Sequence, residues 1–254
     1  MKYRKVYLII FIILINSFYT ELSAQIESIS IDFGIGRKMT LRDLNQNKYA
    51  GKFMYTNASN LSSSVHVKLK SQWGIWGRYA FDIHNDSKNN KIQNASKIMN
   101  LDTDKYYLRS ISGYNATAIL TYEFGTGIFY SLNYNKLAFM PFIGIGISNT
   151  YVGDLSYTIK EKDTNNAYNI HYNYDWNDDE YTSGFAELGL NVNYNIGHFY
   201  IGAGFRLQQY FKGSDFHIVK KDHYDYTVLE ENKYKAQAPI FFQTDFRIGF
   251  TFKK

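Results

Sequence analysis

Residues 187–209 read "ELGLNVNYNIGHFYIGAGFRLQQ" and alternate with a period of two through a short Gly-His break. The apolar positions are even from 186 to 196 and odd from 199 to 207, whereas Glu187, Gly189, Asn191, Gly202, Gly204 and Arg206 fill the other face. Strict alternation of this kind is the pattern of a strand whose two faces meet different surroundings. The class of protein follows from which face is inside.

The same alternation runs along most of the chain. Ile29, Ile31, Phe33 and Ile35 mark one strand, Val65, Val67, Leu69 and Trp73 a second, and Tyr79, Phe81 and Ile83 a third. Even positions from 114 to 134 are apolar except Thr126, and odd positions carry the apolar set from 137 to 159. A final run holds even positions from 240 to 252. These runs predict eight strands. A ten-strand reading, with "FGTG" (124–127) as a turn, is the alternative, and the unbroken even register through that tetrapeptide favours eight. Residues 39–63, 86–113, 161–166 and 220–234 are expected to be loops or hairpin tips, and "WGIWG", "YNK" and "IGH" tight turns. Short turns at one end and long loops at the other predict an all-β, antiparallel up-and-down transmembrane β-barrel.

The non-apolar face settles the orientation. It carries ten of the 18 glycines, and a glycine inside a strand usually marks a place where something approaches too closely for a side chain. It also carries five acids (Asp32, Asp82, Glu123, Glu187, Asp245) and five bases (Lys68, Lys70, Arg78, Arg206, Arg247), enough to neutralise one another in a narrow interior. The polar face is therefore expected inside, as a lumen charge network, and the apolar face against lipid. Trp73, Trp76, Tyr134, Tyr194 and Phe199, near the short turns, suit an interfacial aromatic girdle.

Composition agrees with a single all-β unit. The chain has 254 residues, 18% of them aromatic, two prolines and no cysteine, so disulfides, thiolate metal sites and cysteine nucleophiles are excluded. The segment "MKYRKVYLIIFIILINSFYTELSA" has the basic, apolar and small-residue order of a secretory signal, which assigns 1–24 to a leader and 25–254 to the barrel. Its apolar run of ten residues is shorter than the roughly 20 that a spanning helix needs. Losing three positive charges and one negative lowers the formal net charge from +5 to +3, too little to argue for nucleic acid.

With its leader, eight alternating strands and the closing "FFQTDFRIGFTF" (241–252), the chain resembles the small outer-membrane β-barrels of Gram-negative bacteria. Its Tyr, Asn, Ile and Lys-rich texture, with "FIGIGIS" (142–148), resembles the outer-membrane barrel-domain proteins common in Bacteroidetes. The resemblance implies a cell outer membrane location, contacts with outer-membrane lipid and lipopolysaccharide, and recognition of Phe246, Phe250 and Phe252 by the barrel-assembly machinery. Lys253 and Lys254 follow that last Phe.

Chemistry-bearing motifs are sparse. If "WGIWG" turns at 74–76, Lys68 faces Asp82, Gln72 faces Arg78 and His66 faces His84, with Ser64 and Asp86 nearby. A Ser and His pair of that kind could support acyl transfer, and a lipid-modifying enzyme is one alternative function; a small pore is another. "DWNDDE" (175–180) begins like a calcium loop but has Glu180 where glycine is required, so no metal or cofactor is expected. The hairpin through 155–176 continues its stripe beyond the span. Tyr157, Tyr168, Tyr172, Tyr174 and Trp176 are its candidate binding surface, since exposed aromatic stripes mark interaction sites. The expectation is a monomeric barrel with a filled lumen and a structural or adhesive role toward an extracellular partner.

Overall fold

A computed structural model describes residues 25–41, 57–85, 104–112, 118–152, 155–173, 180–213, 215–235 and 238–253. The leader at 1–24 lies outside the described residues. In chain order the strands are β1 (Ile26–Thr40), β2 (Ala58–Leu69), β3 (Trp73–Asn85), β4 (Tyr106–Ser112), β5 (Ala118–Tyr130), β6 (Leu132–Tyr134) and β7 (Leu137–Val152), then β8 (Leu155–Glu161), β9 (Ala167–Asn173), β10 (Glu180–Ile196), β11 (Phe199–Tyr210), β12 (Asp215–Asp222), β13 (Val228–Lys235) and β14 (Ile240–Lys253).

Eight of them close a ring. The hydrogen-bonded order is β1, β2, β3, β5, β7, β10, β11 and β14, with β14 pairing back to β1 and every neighbour antiparallel. Gly125 and Gly127 lie within β5, so "FGTG" is strand and the count is eight. β6 continues the register of β5 against β7 beyond Ser131.

The two faces are inverted relative to a soluble protein. Phe33, Ile35, Ile145 and Ile147 are each at least 60% exposed, whereas Arg78, Arg206 and Arg247 are no more than 3% exposed. Burial of charge beside exposure of isoleucine is stable only if the outer face meets hydrocarbon. Trp73, Tyr134, Tyr194 and Phe199 stand exposed near the short turns, as a girdle requires.

Several expectations are corrected. "WGIWG" is the start of β3, not a turn; the turn is Lys70-Ser71-Gln72, with Gln72 at a φ of 68°. Gly74 lies within the strand, and its glycine leaves the room that the Phe129 ring occupies. The register therefore pairs His66 with Trp76 and Ser64 with Arg78, and the expected Lys68/Asp82, Gln72/Arg78 and His66/His84 pairs do not form. Trp76 leaves the girdle for the lumen, where it is buried against Phe142. β2 begins at Ala58, inside a predicted loop, because "SNLSSS" (59–64) places serine on both faces and hides its period.

The larger correction lies beyond the barrel. β4, β8, β9, β12 and β13 form a second sheet in the order β13, β12, β9, β8, β4. The hairpin β8–β9 is its centre. β4 and β13 fall in segments expected to be loops, and β12 has no counterpart among the predicted strands.

Candidate functional site

The lumen is filled from the level of Asp32 to that of Lys38 by one connected set of side chains. At the loop end Lys38 Nζ donates to Asp82 Oδ2 at 2.7 Å, to Glu123, and to the Tyr210 hydroxyl at 3.3 Å, and lies 4.7 Å from the centre of the Phe241 ring. Arg78 bridges Glu123 at 2.8 Å and Glu187 at 3.3 Å, and Gln208 donates to the same two carboxylates. Arg206 reaches Glu187 at 3.5 Å and Asp245 at 3.4 Å. Nearer the turn end Arg247 Nε donates to Asp32 Oδ1 at 3.2 Å, Tyr200 donates to Asp32 at 2.7 Å, and His66 Nε2 lies 3.1 Å from it. Asn60 and Gln243 join the halves: Asn60 donates to Asp82, and Gln243 to Asn60 and Asp245.

The glycines of the inner face make room for this set. At Gly144 a Cβ would overlap the Trp76 ring, and at Gly204 the Asp245 carboxylate. Eight of the ten predicted charged residues are in the connected set: Asp32, Arg78, Asp82, Glu123, Glu187, Arg206, Asp245 and Arg247. Two are not. Lys68 points inward only at the mouth, where it pairs with Glu27 at 2.9 Å, and Lys70 is exposed in the turn. Lys38 takes their place, and its even position beside Asp32, Gly34 and Gly36 was a readable signal. At the turn end the lumen opens as a cavity of about 270 Å³, lined by Ser28, Ser30, His66, Asn133, Asn193 and Tyr200 among others.

Over the loop end stands the second sheet. Three separate connections supply it: β4 lies between β3 and β5, β8 and β9 between β7 and β10, and β12 and β13 between β11 and β14. Register places Tyr157 opposite Ile170 and Ile159 opposite Tyr168, with Ile218 next in line beside Tyr172. Tyr157, Ile159, Ile170 and Ile218 are buried, so Tyr157 is a packing residue and not the exposed contact expected of it. Tyr168 is half-buried. Its ring meets Tyr106 edge-on at 6.1 Å, with Lys220 Nζ 4.3 Å from the Tyr168 ring centre and 5.5 Å from that of Tyr106.

Tyr172 pairs through its backbone with Leu155 and Ile218, and Tyr174 and Trp176 lie outside the described residues. At the sheet's far end Glu161 accepts hydrogen bonds from Thr164 at 2.7 Å and Asn166 at 3.2 Å, and pairs with Lys105 at 3.0 Å. The Thr164 hydroxyl foremost, with Lys105, holds the Glu161 carboxyl below the ordinary carboxylate range. The calcium-like loop falls on 175–180, of which only Glu180, at the start of β10, is described.

No protein-family model matches the chain, and no curated protein sequence does. Among solved structures it is similar to a major outer membrane protein from Thermus thermophilus, at 11% identity and a TM-score of 0.46, covering 89% of this chain and 98% of that one. It is similar as well to Ail, the attachment invasion locus protein of Yersinia pestis (11%, TM-score 0.40, 90% and 99% covered), and to Neisserial surface protein A (9%, TM-score 0.39, 89% and 96%). At these identities and scores, none of them says what this chain binds or does.

Proposed function

We propose that the protein is an outer-membrane barrel that serves as a closed anchor, and that its function resides in the five-stranded sheet, held outside the cell as an adhesive or binding platform. The supporting observation is that three separate long connections contribute strands to that one sheet. Ordering so many residues in loops costs roughly 1–2 kcal/mol each in backbone entropy, a cost that a barrel needing only a membrane anchor has no reason to carry. The sheet also presents Tyr168, Tyr106 and Lys220 as a compact aromatic and cationic group. Rigid aromatic area beside polar side chains is the composition of binding surfaces. The filled lumen argues against the pore reading, and the register pairs His66 with Trp76 and His84 with Ala58, so the His66/His84 pairing expected of an acyl-transfer site does not form.

The test is to replace residues 155–176 with a short Gly-Ser turn. Loss of β8 and β9 takes away the middle of the sheet, whereas the eight barrel strands keep all their partners. The shortened protein should still insert and migrate faster on gels unheated than boiled, and should lose binding to cells, glycans or matrix. Unchanged binding, or failure to insert, contradicts this assignment.

A further inference from the structure

Among the described residues, the outer wall of the barrel carries one cation in its apolar belt. Arg37 occupies an outward position of β1, with Ile29, Ile31, Phe33 and Ile35 toward the turn end and Met39 and Leu41 toward the loop end. It is exposed, and among the described residues no carboxylate pairs with it. The outward positions of β2, β11 and β14 hold no acid at all.

Its register partners are two hydroxyl residues, Ser59 on β2 and Thr244 on β14. This group itself lines a trough of about 490 Å³ on the wall, together with Ile35, Gly36, Ala203, Gly204, Phe205, Asp245 and Phe246. A cation facing hydrocarbon without a partner is disfavoured most at mid-depth and progressively less toward the interface. Eight residues beyond Ile29, at about 3.3 Å per residue and a tilt near 40°, Arg37 sits close to the upper edge of a belt about 25 Å tall. An anionic lipid headgroup stands at that depth.

We propose that Arg37, with Ser59 and Thr244, binds a phosphate of lipid A, the phosphorylated glycolipid of the outer leaflet, while one acyl chain lies in the trough. Guanidinium is matched to phosphate by its planar, multiply donating edge. The two hydroxyls beside it suit the sugar and amide oxygens next to a glycolipid phosphate, which a simple phospholipid lacks. Only the orientation, loop end outward, is taken from the function proposed above; the sheet and its partner play no part.

The test uses the full barrel in mild detergent, loaded with bisphosphorylated lipid A and washed by detergent exchange, with retained lipid counted by native mass spectrometry. The wild type should keep one lipid A per barrel. Arg37→Gln should hold it about tenfold or more weakly, as expected for the loss of a charge-assisted contact, with Arg37→Lys intermediate. A heat-modifiability gel shows that each variant is folded, and wild-type protein offered dephosphorylated lipid A supplies an arm in which folding cannot differ. The proposal is overturned if Arg37→Gln retains lipid A as well as the wild type, if the dephosphorylated lipid is retained equally, or if phosphatidylglycerol competes on equal terms. Protease access to the loops of intact cells tests the orientation separately.

Discussion

At the level of single residues, the inner face is governed by the rule that a buried charge is tolerable only with its partners in place. Asp32 accepts from Arg247 and Tyr200 and lies beside His66, all buried. Asp32→Ala leaves Arg247 buried without its nearest anion, and a loss of about 3–5 kcal/mol is expected, as for breaking a buried pair from one side. Urea titration of the barrel in detergent measures it. Gly144→Val should prevent folding outright, because its side chain would meet both the Trp76 ring and the Thr126 carbonyl. Glu161 makes a pH-dependent prediction outside the membrane. Its carboxyl is held low by Thr164 and Lys105, so its contribution is full above the unfolded carboxylate value and is lost as pH falls through the folded one. Amide protection of β8 and β9, corrected for intrinsic exchange, should drop in acid in the wild type and be insensitive to acid in Glu161→Gln.

The individual strands show how far alternation can be read. β7, β10, β11 and β14 were legible because isoleucine, leucine and phenylalanine hold one parity against glycine and charge. β2 was legible only in its second half, since Ser59 and Ser63 face outward while Ser62 and Ser64 face inward, and a serine gives no contrast between faces. β4, β12 and β13 were missed because they are seven or eight residues long, and pairing shifts register between Leu108 and Ser110 and between Lys220 and Lys221. Such shifts break the period that a reader counts. Lys38 is legible by parity, whereas Lys70 shares the inward parity but lies past the end of β2, where alternation no longer sets the direction of a side chain. The β2–β3 turn carries its own test. Gln72 holds a left-handed φ of 68°, a conformation that glycine adopts at no steric cost, but glycine also adds freedom to the unfolded chain and loses the hydrogen bond that Gln72 Oε1 accepts from the Tyr130 hydroxyl. In urea titration Gln72→Gly should therefore stay within about 0.5 kcal/mol of the wild type, whereas Gln72→Val should lose about 1–2 kcal/mol.

For the whole molecule, the arrangement is a ring of eight strands with lipid outside, ion pairs inside and a separate sheet over one end. The ring has no edge to expose to hydrocarbon, and eight strands leave an interior that side chains can fill. The lumen should therefore not carry ions steadily; planar-bilayer recordings should show no sustained nanosiemens-scale conductance. The central claim is the inversion of the two faces, and β2 tests it most directly because the chain has no native cysteine. Single Leu61→Cys, Ser63→Cys and Val65→Cys variants in liposomes should carry nitroxides that collide with dissolved oxygen far more than with a water-soluble nickel complex. Ser62→Cys and Ser64→Cys should resist a water-soluble thiol reagent until the barrel is unfolded. If the oxygen preference falls instead on positions 62 and 64, or if positions 61, 63 and 65 react freely in water, the apolar face does not meet lipid and the account is wrong.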